Sequence, residues 1–332
     1  MKCIINPFNS CYKNIASEEF YLSAFEEDLF YLYINSPSII VGRYQNTYAE
    51  INHQYTEENN IDIVRRQSGG GAVYHDLGNL NYGFITKSKG LEVNEVFREL
   101  SQPIVNVLQE LGADATFSGR NDLVIDEKKI SGIAQYHTKD KVLLHGTLLF
   151  DSDMSQISAS LNVDPRKFKD KSVKSVKSRV TNIKPYLKKS ITIEEFASTI
   201  VESIIEQFPG SSIYELSEKD VEAITNLADT KYSAWEWVYG NSPKFTYQHG
   251  LKYEKGILDL GLVIENAIIQ DIIIYGDFFS KKDMNELYSL LRKVPYNKNA
   301  VTTALAEVNM DDYLFGLSKE KFIEGLFINT PE

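Results

Sequence analysis

Arg65-Arg66-Gln67-Ser68-Gly69-Gly70-Gly71-Ala72-Val73-Tyr74-His75-Asp76-Leu77-Gly78-Asn79-Leu80-Asn81 is the stretch whose composition folding alone explains least. Glycine loses the most backbone entropy on folding, so three in a row mark a positive φ or a close approach to the backbone. Consecutive amides in such a turn form an anion nest, and guanidinium forks match phosphate or carboxylate oxygens. The stretch therefore reads either as a phosphate loop or as a Gly-rich turn with two solvated arginines, and local sequence leaves both open.

Working outward, Asp62-Ile63-Val64 reads as a strand entering the loop, and Leu80-Asn81-Tyr82-Gly83-Phe84-Ile85 as one leaving it, so the loop is expected to join an antiparallel pair. It fits neither the P-loop nor the dinucleotide-binding glycine pattern, each of which opens a helix. Upstream, Asp28–Ile34 and Ser38–Gly42 read as core strands of a hairpin turning at Asn35-Ser36-Pro37, followed by Arg43. Residues 14–22 read as a helix that brings Glu18 and Glu19 together, and residues 49–58 as a polar helix. Downstream, residues 93–111 carry apolar positions at helical spacing despite Pro103. Two strands turn at Asp126–Lys129, placing Lys129 at the start of the return strand, and His145–Phe150 forms another. Residues 164–189 are locally basic, and residues 193–208 and 220–227 are helical. Both tryptophans, Trp235 and Trp237, sit in a segment expected to close over the large domain.

After about residue 246 the texture changes to an antiparallel pair turning near Glu265 and three short helices. The expected class is α+β: a large domain, residues 1–246, with a mixed, mostly antiparallel sheet flanked by helices, and a small α+β domain, residues 247–332.

Composition narrows the chemistry. The chain has 332 residues and a net charge of -11, which disfavours a general nucleic-acid or membrane-surface binder. Two cysteines, Cys3 and Cys11, offer no disulfide framework and no four-ligand zinc pattern. No apolar run reaches signal or membrane-spanning length, so a soluble cytoplasmic protein, by default a monomer, is expected. The five histidines show no metal-ligand spacing, and no Gly-x-Ser-x-Gly elbow appears. What remains is an anion nest with cations, suited to phosphoryl or nucleotidyl transfer.

The 65–79 stretch, with Gly119-Arg120-Asn121-Asp122-Leu123, Lys129-Ile130-Ser131-Gly132 and His145-Gly146-Thr147-Leu148-Leu149 in order and spacing, resembles the lipoate–protein ligase A family of the biotin/lipoate ligase superfamily. Val41–Asn46, Ser175–Asn182 and Trp235-Glu236-Trp237 extend the likeness across residues 14 to 245. The resemblance implies activation of lipoate by ATP to lipoyl-AMP and pyrophosphate. The acyl group then passes to a lysine of apo lipoyl domains, on 2-oxoacid dehydrogenase E2 subunits and the glycine cleavage H protein. It assigns Lys129 to the reactive centre. Arg66, Gly71, Ala72, Val73, Tyr74, Asn79, Asn121 and Asp122 fall to ATP, with Asp122 holding Mg2+. Arg43, Ser68, Gly69, Gly70, His75 and His145, with Lys129, fall to lipoate, and the basic run Ser175–Arg179 lies by the adenylate. Ser17 departs from the family's apolar pair before the glutamates, where altered packing alone is expected. An octanoyl or lipoyl transferase working through a cysteine, a biotin ligase, and a non-catalytic lipoate- or nucleotide-binding protein are the competing readings.

Overall fold

The computed structural model describes residues 1–88, 90, 93–119, 121–161, 180–239, 247–265 and 268–327. Among them, β1 (Lys2–Ile5), β2 (Leu29–Ile34), β3 (Ser38–Val41), β4 (Asp62–Arg65), β5 (Val73–His75), β6 (Asn79–Lys87), β7 (Thr116–Ser118), β8 (Asp122–Ile125), β9 (Lys128–His137), β10 (Lys141–Leu149), β11 (Ser212–Ile213), β12 (Tyr247–Tyr253), β13 (Gly256–Glu265) and β14 (Ile268–Gly276) form three sheets. The large one runs β11-β1-β2-β6-β10-β9-β8-β7. It is parallel at β11-β1-β2 and antiparallel from β2 onward.

Strand alternation gives the large sheet two faces with different tasks. Leu32, Leu80, Tyr82, Leu144 and Ile133 share one buried cluster with Val96, Phe97, Ile104 and Leu108 of the helix Val93–Glu110 and with Phe196, Ile200 and Ile204 of the helix Ile193–Gln207. On the opposite face, paired residues line up in rows across the strands. Tyr33, Asn81 and Thr147 make one row, and Tyr31, Gly83, His145 and Ala134 the next. Against this face lies the helix Cys11–Ala24, which buries Ile15, Ala16 and Tyr21.

Two expectations change here. Asn35-Ser36-Pro37 is not a hairpin turn: it carries the chain from β2 in the large sheet to β3 at the centre of the small β4-β3-β5 sheet. Nor does the glycine stretch join an adjacent antiparallel pair. β4 is parallel and β5 antiparallel to β3, so the loop crosses over β3 from one edge to the other. Chain reversal near a proline is legible in sequence, whereas the choice of pairing partner is made by tertiary packing. The polar helix of residues 49–58 is two short ones, Thr47–Glu50 and His53–Glu58, interrupted where Ile51 enters the core.

The C-terminal region has its own core, from Leu251 through Leu258, Phe278 and Leu287 to Phe322 and Leu326. There β12-β13-β14 are covered by the helices Met284–Leu291, Lys298–Ala304 and Lys319–Phe327. This region docks on the glycine loop. Gly70 N donates to Phe278 O at 2.9 Å, Gly276 N to Tyr44 O at 2.9 Å, and Tyr44 stacks on Phe278 with ring centroids 4.6 Å apart.

Candidate active site

A cavity of about 580 Å³ lies on the helix Cys11–Ala24 face of the large sheet, roofed by the C-terminal region. Ile15, Tyr33, Ile40, Val73, Ile133, Ala134 and His145 line it towards the sheet centre, and Asn121, Asp122 and Lys129 towards the β8 edge. Lys252, Lys255 and Asp277 contribute from the roof. One end thus suits an apolar chain and the other an anion.

Lys129 reaches this position through a fold irregularity. The β8–β9 hairpin turns at Asp126 and Glu127, with φ of 49° and 62°, the geometry of a two-residue primed turn. Asp122 pairs with Gly132 and Val124 with Lys129, the register shifting between Leu123 and Val124. Asp122 and Val124 share a face, so Lys129 and Gly132 share it too although three residues apart, which a regular strand forbids. The bulge therefore lays the lysine stem across Gly132, where an added Cβ would stand 2.9 Å from Lys129 Nζ. Lys129 Nζ lies 2.8 Å from Asp122 Oδ1, both side chains about a third exposed. Asn121 is pinned by Nδ2 donating to Ile133 O at 2.8 Å.

Both arginines of the loop turn inward. Arg66 is 5% exposed; Nε donates to Ser68 Oγ, Nη1 to Ile40 O, and Nη2 to Gly69 O and Gly71 O. Four of its five N–H groups thus brace the loop. Arg65 donates to the carbonyls of Gly42, Gln45, Trp237 and Val238 and to Thr47 Oγ1, and Trp237 Nε1 returns a bond to Arg65 O. It ties the tryptophan helix, Trp235–Val238, to the large domain. Burial lowers both pKa values to about 10, so both stay charged at neutral pH.

A buried polar chain stands behind the apolar end. Glu18, wholly buried, accepts from Tyr31, at 3.1 Å, and Tyr33, at 3.3 Å, and meets His145 Nδ1 at 2.8 Å; His145 Nε2 meets Ser68 Oγ at 2.6 Å. Glu19 points the other way, to Lys231, Tyr232 and Gln67, so the two glutamates diverge. Ser17 does more than pack: its Oγ accepts from Asn6 Nδ2 at 2.9 Å and donates to Asn14 O at 2.7 Å. His75 is buried, and desolvation with the charges of Arg66 and His145 lowers its pKa to about 3.

Of the residues expected at the site, Arg66, Gly70, Gly71, Ala72, Val73, His75, Asn121, Asp122, Lys129 and His145 line one cavity. Arg43, Ser68, Gly69, Tyr74 and Asn79 do not. Arg43 stacks on Trp237 at 4.3 Å and donates to Gln67, outside the cavity. Ser68 lies behind His145, and a Cβ on Gly69 would strike Phe278 O at 2.1 Å. Tyr74 alternates into the core of the small sheet, and Asn79 stands behind Asn81, donating to its Oδ1 at 2.8 Å. Arg120 and Ser175–Arg179 lie outside the described residues. Tyr33, Asn81, Thr147, Lys252 and Lys255 line the cavity unforeseen; a place on the same sheet face as His145, one row along, could have flagged the first three, and nothing local flags the lysines. Burial raises the pKa of both cysteines, Cys11 the more strongly, which leaves them as poor nucleophiles.

The fold is α+β, and its cavity is apolar at one end and cationic at the other, the pattern of a site for an acyl chain beside an anion. The chain matches the family described as lipoyl protein ligase A/B catalytic domain over residues 10–205, and that described as bacterial lipoate protein ligase C-terminus over residues 242–326. It therefore belongs to the lipoyl protein ligase A/B family. It is 42% identical to the lipoate-protein ligase LplJ of Bacillus subtilis, covering 95% of this chain and 96% of the relative. Three solved structures are similar. That of P. falciparum LipL1 with lipoate has a TM-score of 0.80 at 24% identity, covering 97% of both chains, a likeness of fold. The bi-partite ligase of Thermoplasma acidophilum, from a study with its E2 lipoyl domain, has a TM-score of 0.64 at 31% identity, covering 74% of this chain and 98% of that one. A lipoate-protein ligase A bound with ATP has a TM-score of 0.62 at 27% identity, covering 72% of this chain and 99% of that one.

Proposed function

We propose that this protein is a lipoate–protein ligase that joins lipoate to ATP and then transfers the acyl group to a lysine of an apo lipoyl domain. The observation that carries this reading is one cavity holding both the apolar slot around Ile15, Tyr33 and Ala134 and the Lys129–Asp122 pair. The lipoate carboxylate attacks the α-phosphorus of ATP, the bond to the β-phosphate oxygen breaks, and pyrophosphate leaves. The acceptor lysine amine then attacks the mixed-anhydride carbonyl and AMP departs.

Each step needs charge placed where anions meet. Lys129 donates to the carboxylate and the α-phosphate. The backbone of Gly71, Ala72 and Val73 and the side chain of Asn121 face the nucleotide. Arg66 supports that backbone, and Lys252 and Lys255 add positive charge from the roof. Asp122 is the residue that would hold Mg2+: its carboxylate lines the cavity, with Oδ1 shielded from solvent and paired with Lys129. A single carboxylate completed by substrate phosphates is a usual magnesium arrangement. The ion would neutralise phosphate charge.

Residues 1–246 serve as the catalytic unit and 247–332 as the accessory one. The T. acidophilum pairing of ligase and E2 lipoyl domain supports a lipoyl-domain acceptor, and the glycine cleavage H protein is proposed as a further acceptor. Among the described residues no helix is long and apolar enough to cross a membrane, and two buried thiols suit the cytoplasm. A transferase working through a cysteine has no support here, since Cys3 and Cys11 are both buried away from the cavity.

The test is mass spectrometry of an apo lipoyl domain incubated with the protein, lipoate and Mg2+, with and without ATP. An ATP-dependent gain of one lipoyl group is expected; a gain without ATP overturns the reading. Lys129→Ala should cut lipoate-dependent pyrophosphate release about a hundredfold or more, and undiminished release removes the lysine from the mechanism.

A further inference from the structure

We propose that Asn35, oriented by Asn14, is a positioning residue that fixes His75 as the Nε2–H tautomer, aiming that N–H at an anionic oxygen of the substrate. The inference rests on the functional reading above for the identity of that oxygen, and on the geometry alone for the tautomer. The chain of hydrogen bonds has one consistent direction. Asn14 Nδ2 stands 3.0 Å from Phe8 O and 3.2 Å from Ile34 O. Carbonyls only accept, so this end of the amide must be its nitrogen. Its other end agrees: Asn14 Oδ1 accepts from Asn6 Nδ2 at 2.9 Å, while Asn6 Oδ1 accepts from the Tyr21 hydroxyl at 2.5 Å.

The same Asn14 nitrogen lies 2.8 Å from Asn35, which must therefore present its Oδ1. Asn35 Nδ2 is then left for His75 Nδ1, 3.0 Å away. Facing a donor, Nδ1 holds a lone pair, and the ring proton sits on Nε2. Asn14 and Asn35 are both 0% exposed, so water does not loosen this assignment.

His75 Nε2 is shielded from solvent, with no hydrogen-bond partner among the described residues, and the ring lines the cavity. Buried donors are rarely left unpaired, so this one calls for an acceptor from the ligand. Neutral imidazole meets an oxyanion without adding charge beside Arg66. The lipoate carboxylate and the ATP α-phosphate share this chemistry.

The experiment uses the full chain with 15N-labelled histidine. Long-range 1H–15N NMR of the wild type should show His75 with a bare Nδ1 and a protonated Nε2. In Asn35→Asp, which offers His75 only acceptors, Nδ1 should gain a proton. A wild type with Nδ1–H, or an Asn35→Asp protein whose Nδ1 stays bare, overturns the assignment. The donor role is tested by His75→Gln, which keeps an N–H near Nε2, against His75→Leu, which lacks one, with circular dichroism confirming that both fold. His75→Leu should lose about a hundredfold in lipoate-dependent ATP–pyrophosphate exchange and His75→Gln much less; equal losses overturn the role. Calorimetric titration of both variants with lipoate alone and with ATP alone shows which oxygen is met, and equal affinity of the two variants for both ligands also overturns the role. A wild type that binds neither ligand sinks the functional reading while the NMR result stands by itself.

Discussion

The two halves of the glycine loop obey different masters. From Arg65 to Gly70 nearly every donor is spent on protein: Arg66 braces four acceptors, the Gly70 amide bonds Phe278 O, and Gly69 is a glycine because the C-terminal backbone lies where a Cβ would be. Gly71, Ala72, Val73 and His75 line the cavity, and a Cβ on Gly71 would meet nothing nearer than Asp277 Cβ at 3.9 Å. A glycine run beside arginines is thus both a docking surface and a cavity wall. The anion-nest expectation is compatible with the downstream half alone, which faces the cavity.

Breaking the upstream half should cost stability first. Arg66→Ala leaves Ile40 O, Gly69 O, Gly71 O and Ser68 Oγ without their donor and should destabilise the protein by about 3–5 kcal/mol, measured by urea unfolding. Arg66→Lys should restore little, since an ammonium cannot reproduce the fork.

The glycines sharpen the contrast. Gly69→Ala places a methyl against Phe278 backbone and should cost about 3 kcal/mol. Gly71→Ala should change stability by less than about 0.5 kcal/mol while weakening ATP binding, read by titration of both variants. Equal stability losses would erase the distinction between the halves.

A smaller effect than those of Arg66 and Gly69 is a pH dependence. His75 has a pKa of about 3 when folded and an ordinary histidine value when unfolded, so between these the unfolded chain binds more protons. Stability is full above about pH 6.5 and is lost as pH falls towards 3; His75 should account for about 2 kcal/mol of loss by pH 5. His137, lowered to about 4 by burial and by Lys281, acts in the same direction. His75→Gln should flatten the urea-derived slope between pH 7 and 5 without abolishing it.

The sequence by itself determined the α+β class, the helix Val93–Glu110 across Pro103 and a turn within Asp126–Lys129, and its resemblance to a known family implied the clustering of Lys129 with Asp122. These follow from periodicity, turn chemistry and motif order, which are local properties. Tertiary structure alone decided that Asn35-Ser36-Pro37 switches sheets, that Arg43 and Tyr74 leave the cavity, and that Arg65 and Arg66 face protein carbonyls. The physical reason is that a guanidinium or a glycine states what it can satisfy, whereas the partner that satisfies it comes from residues far along the chain: Phe278 for Gly70, Val238 for Arg65, Asn35 for His75.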